Sequence, residues 1–118
     1  MMKENLVYEK AFKFSVRIVN LYKYLTSEYK EYILSKQVLR SGTSVGANIK
    51  EGIEAQSRKD FLSKMNIALK EASETEYWLE LLKATDYLDE NKFASIIQDC
   101  KELNRLLNSI VKTTKNQH

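Results

Sequence analysis

Four stretches of this chain carry apolar residues at alternating spacings of three and four, and the chain contains no proline to interrupt them. That rhythm keeps side chains on one face of a 3.6-residue turn and does not fit the two-residue alternation of a half-buried strand. The first stretch, expected helical from about residue 5 to 25, has the seam Val7, Ala11, Phe14, Ile18, Leu21 and Leu25. In the second, 35 to 54, the seam is Val38, Ser41, Val45, Asn48 or Ile49, and Gly52. The third, 58 to 84, repeats Phe61, Met65, Ala68, Ala72, Thr75, Leu79 and Leu82, with Tyr77 and Trp78 adding bulk. The fourth, 90 to 113, carries Phe93, Ile96 or Ile97, Cys100, Leu103, Leu107 and Ile110. With 118 residues there is material for one core, so each seam must be covered by the others. Short connections then specify an all-α, up-down-up-down antiparallel four-helix bundle forming a single domain.

Local signals set the expected boundaries. Thr26-Ser27-Glu28 offers turn chemistry, and 29 to 34 reads either as a short helical turn or as the start of the second helix. Ser35 is the expected N-cap of that helix. Ser57 followed by Asp60 is similar to a capping box, and Asp89 with Glu90 caps the fourth helix. The first helix also carries a second stripe, Tyr8, Phe12, Val19 and Tyr22. Two readings of that stripe stay open: a broad face buried in one thick core, or a face that meets another subunit.

All three glycines, Gly42, Gly46 and Gly52, fall within residues 39 to 52 of the second helix. A glycine inside a helix costs roughly 1 kcal/mol relative to alanine. Gly42 and Gly46, at small-xxx-small spacing, are therefore expected to let another backbone approach closely, either the third helix or a neighbouring subunit. Gly52 lies near the helix end.

Catalytic chemistry finds little support. Glu71, Glu74, Glu76 and Glu80 crowd the third helix, but a di-iron bundle needs Glu-x-x-His motifs and the sole histidine is His118. No metal or other cofactor is expected. Ser41, Thr43 and Ser44 have no histidine to act as base. Gly42-x-x-x-Gly46 lacks the Gly-Lys-Ser/Thr of a phosphate loop. No triad, metal set or cofactor loop is present, and the protein is read as not an enzyme.

Two polar constellations remain. An antiparallel turn near Gln56 brings Arg40 level with Glu71 and Glu74, and Asn48 level with Lys64, so Arg40 is expected to pair with one of those carboxylates across helices. Lys3, Lys10 and Arg17 recur every seven residues with Lys13 nearby, and form the candidate nucleic-acid stripe. The same spacing also suits lysines that flank a helix seam for solubility. The formal net charge of +3 permits nucleic-acid binding without requiring it.

No stretch approaches the ~20 apolar residues of a membrane span, and the N-terminal residues lack the apolar core of a secretory signal. A cytoplasmic location and no membrane partner are expected. Cys100, the single cysteine, sits at a seam position and is expected to be a small buried apolar residue.

Three blocks carry a family resemblance: Leu39-Arg40-Ser41-Gly42-Thr43-Ser44-Val45-Gly46-Ala47-Asn48-Ile49-Lys50-Glu51-Gly52, then Ser57-Arg58-Lys59-Asp60-Phe61, then Ala68-Leu69-Lys70-Glu71-Ala72-Ser73-Glu74-Thr75-Glu76-Tyr77-Trp78-Leu79. With them the chain resembles the four-helix-bundle proteins encoded by 23S rRNA intervening sequences. The resemblance implies a small bacterial protein, a left-handed bundle and a ring-like homopentamer. It also implies kinship in fold with the pentameric accessory protein of diversity-generating retroelements, which works with a reverse transcriptase and nucleic acid. The expected function is an oligomeric binding or scaffolding module, with structured RNA or a nucleic-acid-processing protein as partner. The alternative is a protein-protein adaptor with no nucleic-acid role.

Overall fold

The seams fold as their spacing requires. In the computed structural model, which describes residues 2–117, they become α1 (Met2–Glu28), α2 (Leu34–Ile53), α3 (Arg58–Ala84) and α4 (Glu90–Asn116). His118 lies outside the described residues. Each helix touches its two neighbours: α1 packs on α2 and α4, and α3 packs on α2 and α4. The result is a four-cornered antiparallel bundle of 48 × 21 × 19 Å. Its long axis follows from 27-residue helices rising about 1.5 Å per residue.

Phe14, Ile18 and Leu25 of α1, Val38, Val45 and Ile49 of α2, Met65, Leu79 and Leu82 of α3, and Leu103 and Leu107 of α4 are fully buried. Each such side chain contributes about 1.5–3 kcal/mol over its exposed state. Where the seams left a choice, Ile49 is buried while Asn48 stays half-buried, and Ile96 and Ile97 are both buried. Ser41 and Thr75 are the hydroxyls inside the α2–α3 seam, and their oxygens lie 2.9 Å apart. Thr75 also reaches the Glu71 carbonyl at 2.8 Å, so neither hydroxyl is left without a partner. Cys100 is buried as expected, with Sγ 3.4 Å from the Ala72 carbonyl, and burial pushes its thiol pKa up to about 12.

Helix ends depart from the sequence expectation in three of the helices. α1 begins at Met2 and continues to Glu28, its last turn tied by Thr26 Oγ1 donating to the Tyr22 carbonyl at 3.0 Å. α4 continues to Asn116 because Val111 and Thr114 prolong its buried face. Ser35 does not cap α2. The N-cap position is Ile33, without a side-chain cap, and the Glu31 carboxylate accepts instead from the backbone N–H groups of Ile33, Leu34 and Ser35 at 3.2, 3.0 and 2.7 Å. Ser35 is buried and donates its hydroxyl to the Glu31 carbonyl at 2.7 Å. The segment before it is thus a turn, and α2 starts at Leu34. Ser57 and Asp89 cap α3 and α4 as expected, accepting from Asp60 N and Lys92 N.

Two residues close the connections at one end of the bundle in the left-handed region: Lys30 at φ 54° after α1 and Asp86 at φ 69° after α3. Asp86 allows the Tyr87 N–H to return to the Leu82 carbonyl at 2.9 Å, which satisfies one of the open carbonyls at the helix end.

The glycines face a different neighbour from the one expected. Gly42 and Gly46 meet α1, at Ile18 and at Ser15 and Ala11 respectively. Gly52 meets Met65 and Lys64 of α3. Gly42 and Gly46 lie on the flank of α2 that turns toward α1, and Ser41 with Val38 and Val45 takes the inner positions.

Candidate binding surfaces

Polar groups beside the seams were the sequence candidates for binding, and several are already engaged within the bundle. Lys3 donates to Ser109 Oγ, Lys10 pairs with Glu102 at 3.3 Å, and Arg17 pairs with Asp99 at 2.7 Å. Arg17 also donates to the Ser95 carbonyl and hydroxyl at 3.2 and 2.9 Å. The seven-residue spacing of these cations places them on the edge of α1 that faces α4, where carboxylates meet them as flanking charges do in paired helices. Two of the four candidate cations, Lys10 and Arg17, are thus held in ion pairs with α4. Lys3 and Lys13 are exposed and neither forms an ion pair among the described residues, whereas Lys10 and Arg17 are half-buried in theirs.

Across α2 and α3, Arg40 joins the two carboxylates expected of it. Its Nη1 donates to Glu71 Oε2 at 3.1 Å and its Nη2 to Glu74 Oε2. Trp78 Nε1 donates to the same Glu74 oxygen at 2.9 Å, a partner the antiparallel register alone did not reveal. The Trp78 donor, opposed by partial burial and reinforced by Arg40, holds the Glu74 carboxyl below its ordinary value. Asn48 does not reach Lys64. Its amide donates to the Ser44 carbonyl at 2.9 Å on its own helix, and Lys64 pairs with Glu51 at 2.7 Å.

Phe12 and Val19 of the second stripe of α1 stay outside the core, while Tyr8 packs partly against it. Phe12 is 57% exposed, Val16 48% and Val19 36%, and Tyr8 stands beside them with its ring 6.4 Å from that of Phe12. Lys50 of α2 lies over the Tyr8 ring at 5.6 Å. Tyr22 is half-buried. One thick core therefore does not account for the stripe. Val16 escaped the sequence reading, although its position four residues after Phe12 and three before Val19 is the signal that places it there.

A further face emerges only from the packing. Lys101, Arg105, Lys112 and Lys115 are exposed on α4, and Lys59 and Lys70 are exposed on α3. None of the six forms an ion pair within 4 Å among the described residues. Ser73 and Asn104 lie 3.3 Å apart across the two helices, and Arg58 donates to Gln117 near the end, which sets the antiparallel register. Lys70 then stands almost level with Arg105, and Lys59 with Lys115.

At that same end a cleft of about 500 Å³ opens among Ile53, Phe61, Ile110, Lys3 and Arg58. Among the described residues no group of His, Cys, Asp and Glu is placed to hold a metal ion, and no helix is long and apolar enough to cross a membrane.

Residues 3–109 match the family model of the 23S rRNA-intervening sequence protein. The chain belongs to that family. A crystal structure of a protein of unknown function from the S23 ribosomal protein family of Bacteroides thetaiotaomicron VPI-5482 is 60% identical, with a TM-score of 0.91 over 93% of this chain and 98% of that one. No curated protein matches. Membership in the 23S rRNA-intervening sequence protein family fits the four-helix fold, and the surfaces above are properties of this chain's own residues.

Proposed function

We propose that this 23S rRNA-intervening sequence protein is a non-enzymatic helical module that assembles with copies of itself and binds structured RNA. The observation that carries self-assembly is the stripe Tyr8, Phe12, Val16 and Val19, which continues along the outside of α1 with the bundle already closed behind it. A contiguous apolar face of this kind is a mark of an interaction surface. The family resemblance makes a homopentamer the assembly to expect. Structured RNA is the partner that the family's description and the chain's unneutralised cations together support.

Light scattering on the purified chain tests the assembly. The expected result is an oligomer at micromolar concentration, converted to monomer with unchanged helical content by Phe12→Asp combined with Val16→Asp. A wild-type chain of monomer mass overturns it. In that case the apolar stripe favours the second reading, an adaptor that docks a different protein and has no nucleic-acid role.

A further inference from the structure

We propose that the outer face shared by α3 and α4 is the surface on which this chain holds the phosphate backbone of double-helical RNA. This rests on the reading of the protein as an RNA-binding module and names the surface and the form of RNA.

The two sides of α4 differ in how their charges are used. Asp99 and Glu102 turn toward α1, where Arg17 and Lys10 neutralise them. Lys101, Arg105, Lys112 and Lys115 turn away from α1 and find no carboxylate within 4 Å among the described residues. On the adjoining flank of α3, Glu76 accepts a hydrogen bond from Asn104 at 3.2 Å and exposed Glu80 stands beside it, two acids against the six cations, while Glu74 faces α2, where Arg40 engages it. The cation row from Lys101 to Lys115 spans roughly 20 Å at the helical rise. A duplex carries one charge per ~1.7 Å of axis, so on the order of ten phosphates fall within that length.

Shape and residue type favour a double helix over a single strand. Single strands are held by bases stacked on aromatic rings. Tyr77 is the exposed aromatic on this flank, and it packs edge-on against Trp78 with centroids 5.0 Å apart. Between Lys59 and Lys70 the surface instead dips into a shallow depression of about 450 Å³ over Leu62, Ser63, Asn66 and Ile67. Exposed Ser63, Asn66 and Asn108 supply donors and acceptors beside the cations. Hydroxyl and amide groups among cations suit the phosphates and 2′-hydroxyls that an RNA duplex displays.

Fluorescence anisotropy of the full chain with a labelled RNA duplex of about 20 base pairs, at two salt concentrations fourfold apart, tests the assignment. The triple variant Lys101→Gln, Arg105→Gln, Lys112→Gln is compared with Lys23→Gln, Lys30→Gln, Lys36→Gln, which removes equal charge from exposed lysines elsewhere. The first variant is expected to lower affinity about tenfold or more and to flatten the log-log salt slope by about 2 to 3, and the second to change affinity less than about twofold.

Equal losses in both variants overturn the surface while leaving RNA binding intact. Absence of any salt-sensitive binding by the wild type overturns the surface and the RNA reading together. Tighter binding of the single strand, or equal binding of a DNA duplex of the same sequence, overturns the assignment to double-helical RNA. Light scattering of the same samples reports assembly separately.

Discussion

A Cβ built on Gly42 would lie 2.7 Å from Ile18 Cγ1 and 2.9 Å from its Cγ2. Ile18 is β-branched, fully buried and held by the α1–α2 contact, so it has little freedom to move aside. At Gly46 the nearest atom is Ser15 Oγ at 3.4 Å, an ordinary contact. Gly42→Ala is therefore expected to destabilise the protein by about 1–3 kcal/mol through overpacking. Gly46→Ala is expected to stabilise it by up to about 1 kcal/mol through helix propensity. Urea denaturation of the two variants checks the contrast, and similar losses at both sites would show that α1 approaches both glycines equally.

Glu31 gathers three backbone N–H groups at the start of α2. Partial burial pushes its carboxyl upward, but the donors from Leu34, Ser35 and Ile33 outweigh that effect and hold it below the ordinary value of 4.5. Because the folded pKa is depressed, this stabilisation is present above about pH 4.5 and is lost as pH falls through the folded value. Glu31→Gln is expected to lower Tm at pH 7, and the gap to wild type is expected to shrink toward pH 3. A gap that is constant with pH, measured by circular dichroism, would rule out the carboxylate's charge as the cause.

Lys30 stands at φ 54° in the turn after α1. A left-handed backbone disfavours a residue with a Cβ by roughly 1–2 kcal/mol, so Lys30→Gly is expected to stabilise the fold by about 1 kcal/mol, partly offset by glycine's greater freedom in the unfolded chain. Thermal melts read the sign directly.

The Arg40 pairs tie α2 to α3 at a half-exposed site, with 49% of the Arg40 side chain accessible. Solvent screening keeps such pairs weak. A double-mutant cycle of Arg40→Met and Glu74→Gln is expected to give a coupling of about 1 kcal/mol or less. A coupling several times larger would mark the pair as a main anchor of the hairpin.

Cys100 is buried, with its thiol pKa pushed up to about 12. The thiolate is the reactive form. Ellman's reagent at pH 8 is expected to leave the native protein unlabelled for as long as it stays folded, and to label one thiol promptly in denaturant.

Each helix announced its inner face in the sequence, because a 3.6-residue turn converts spacing into direction. Phe14, Ile49, Leu79 and Leu107 are buried where their seams put them. Fold class, helix order, the caps at Ser57 and Asp89, and the Arg40 contact with Glu71 and Glu74 were all legible in that way. The last follows from counting outward from an antiparallel turn.

Lateral relations were decided by the tertiary structure alone. A seam defines which way a helix points inward, but not which neighbour stands on its left or right. Gly42 therefore met Ile18 of α1 instead of α3, and Lys10 and Arg17 met Glu102 and Asp99 of α4 instead of solvent. The same physics left Lys101, Arg105 and Lys112 on the far side of α4 without an ion pair among the described residues. Charge along a helix is a property of sequence; whether that charge is available to a partner depends on which carboxylates the packed neighbour brings within reach.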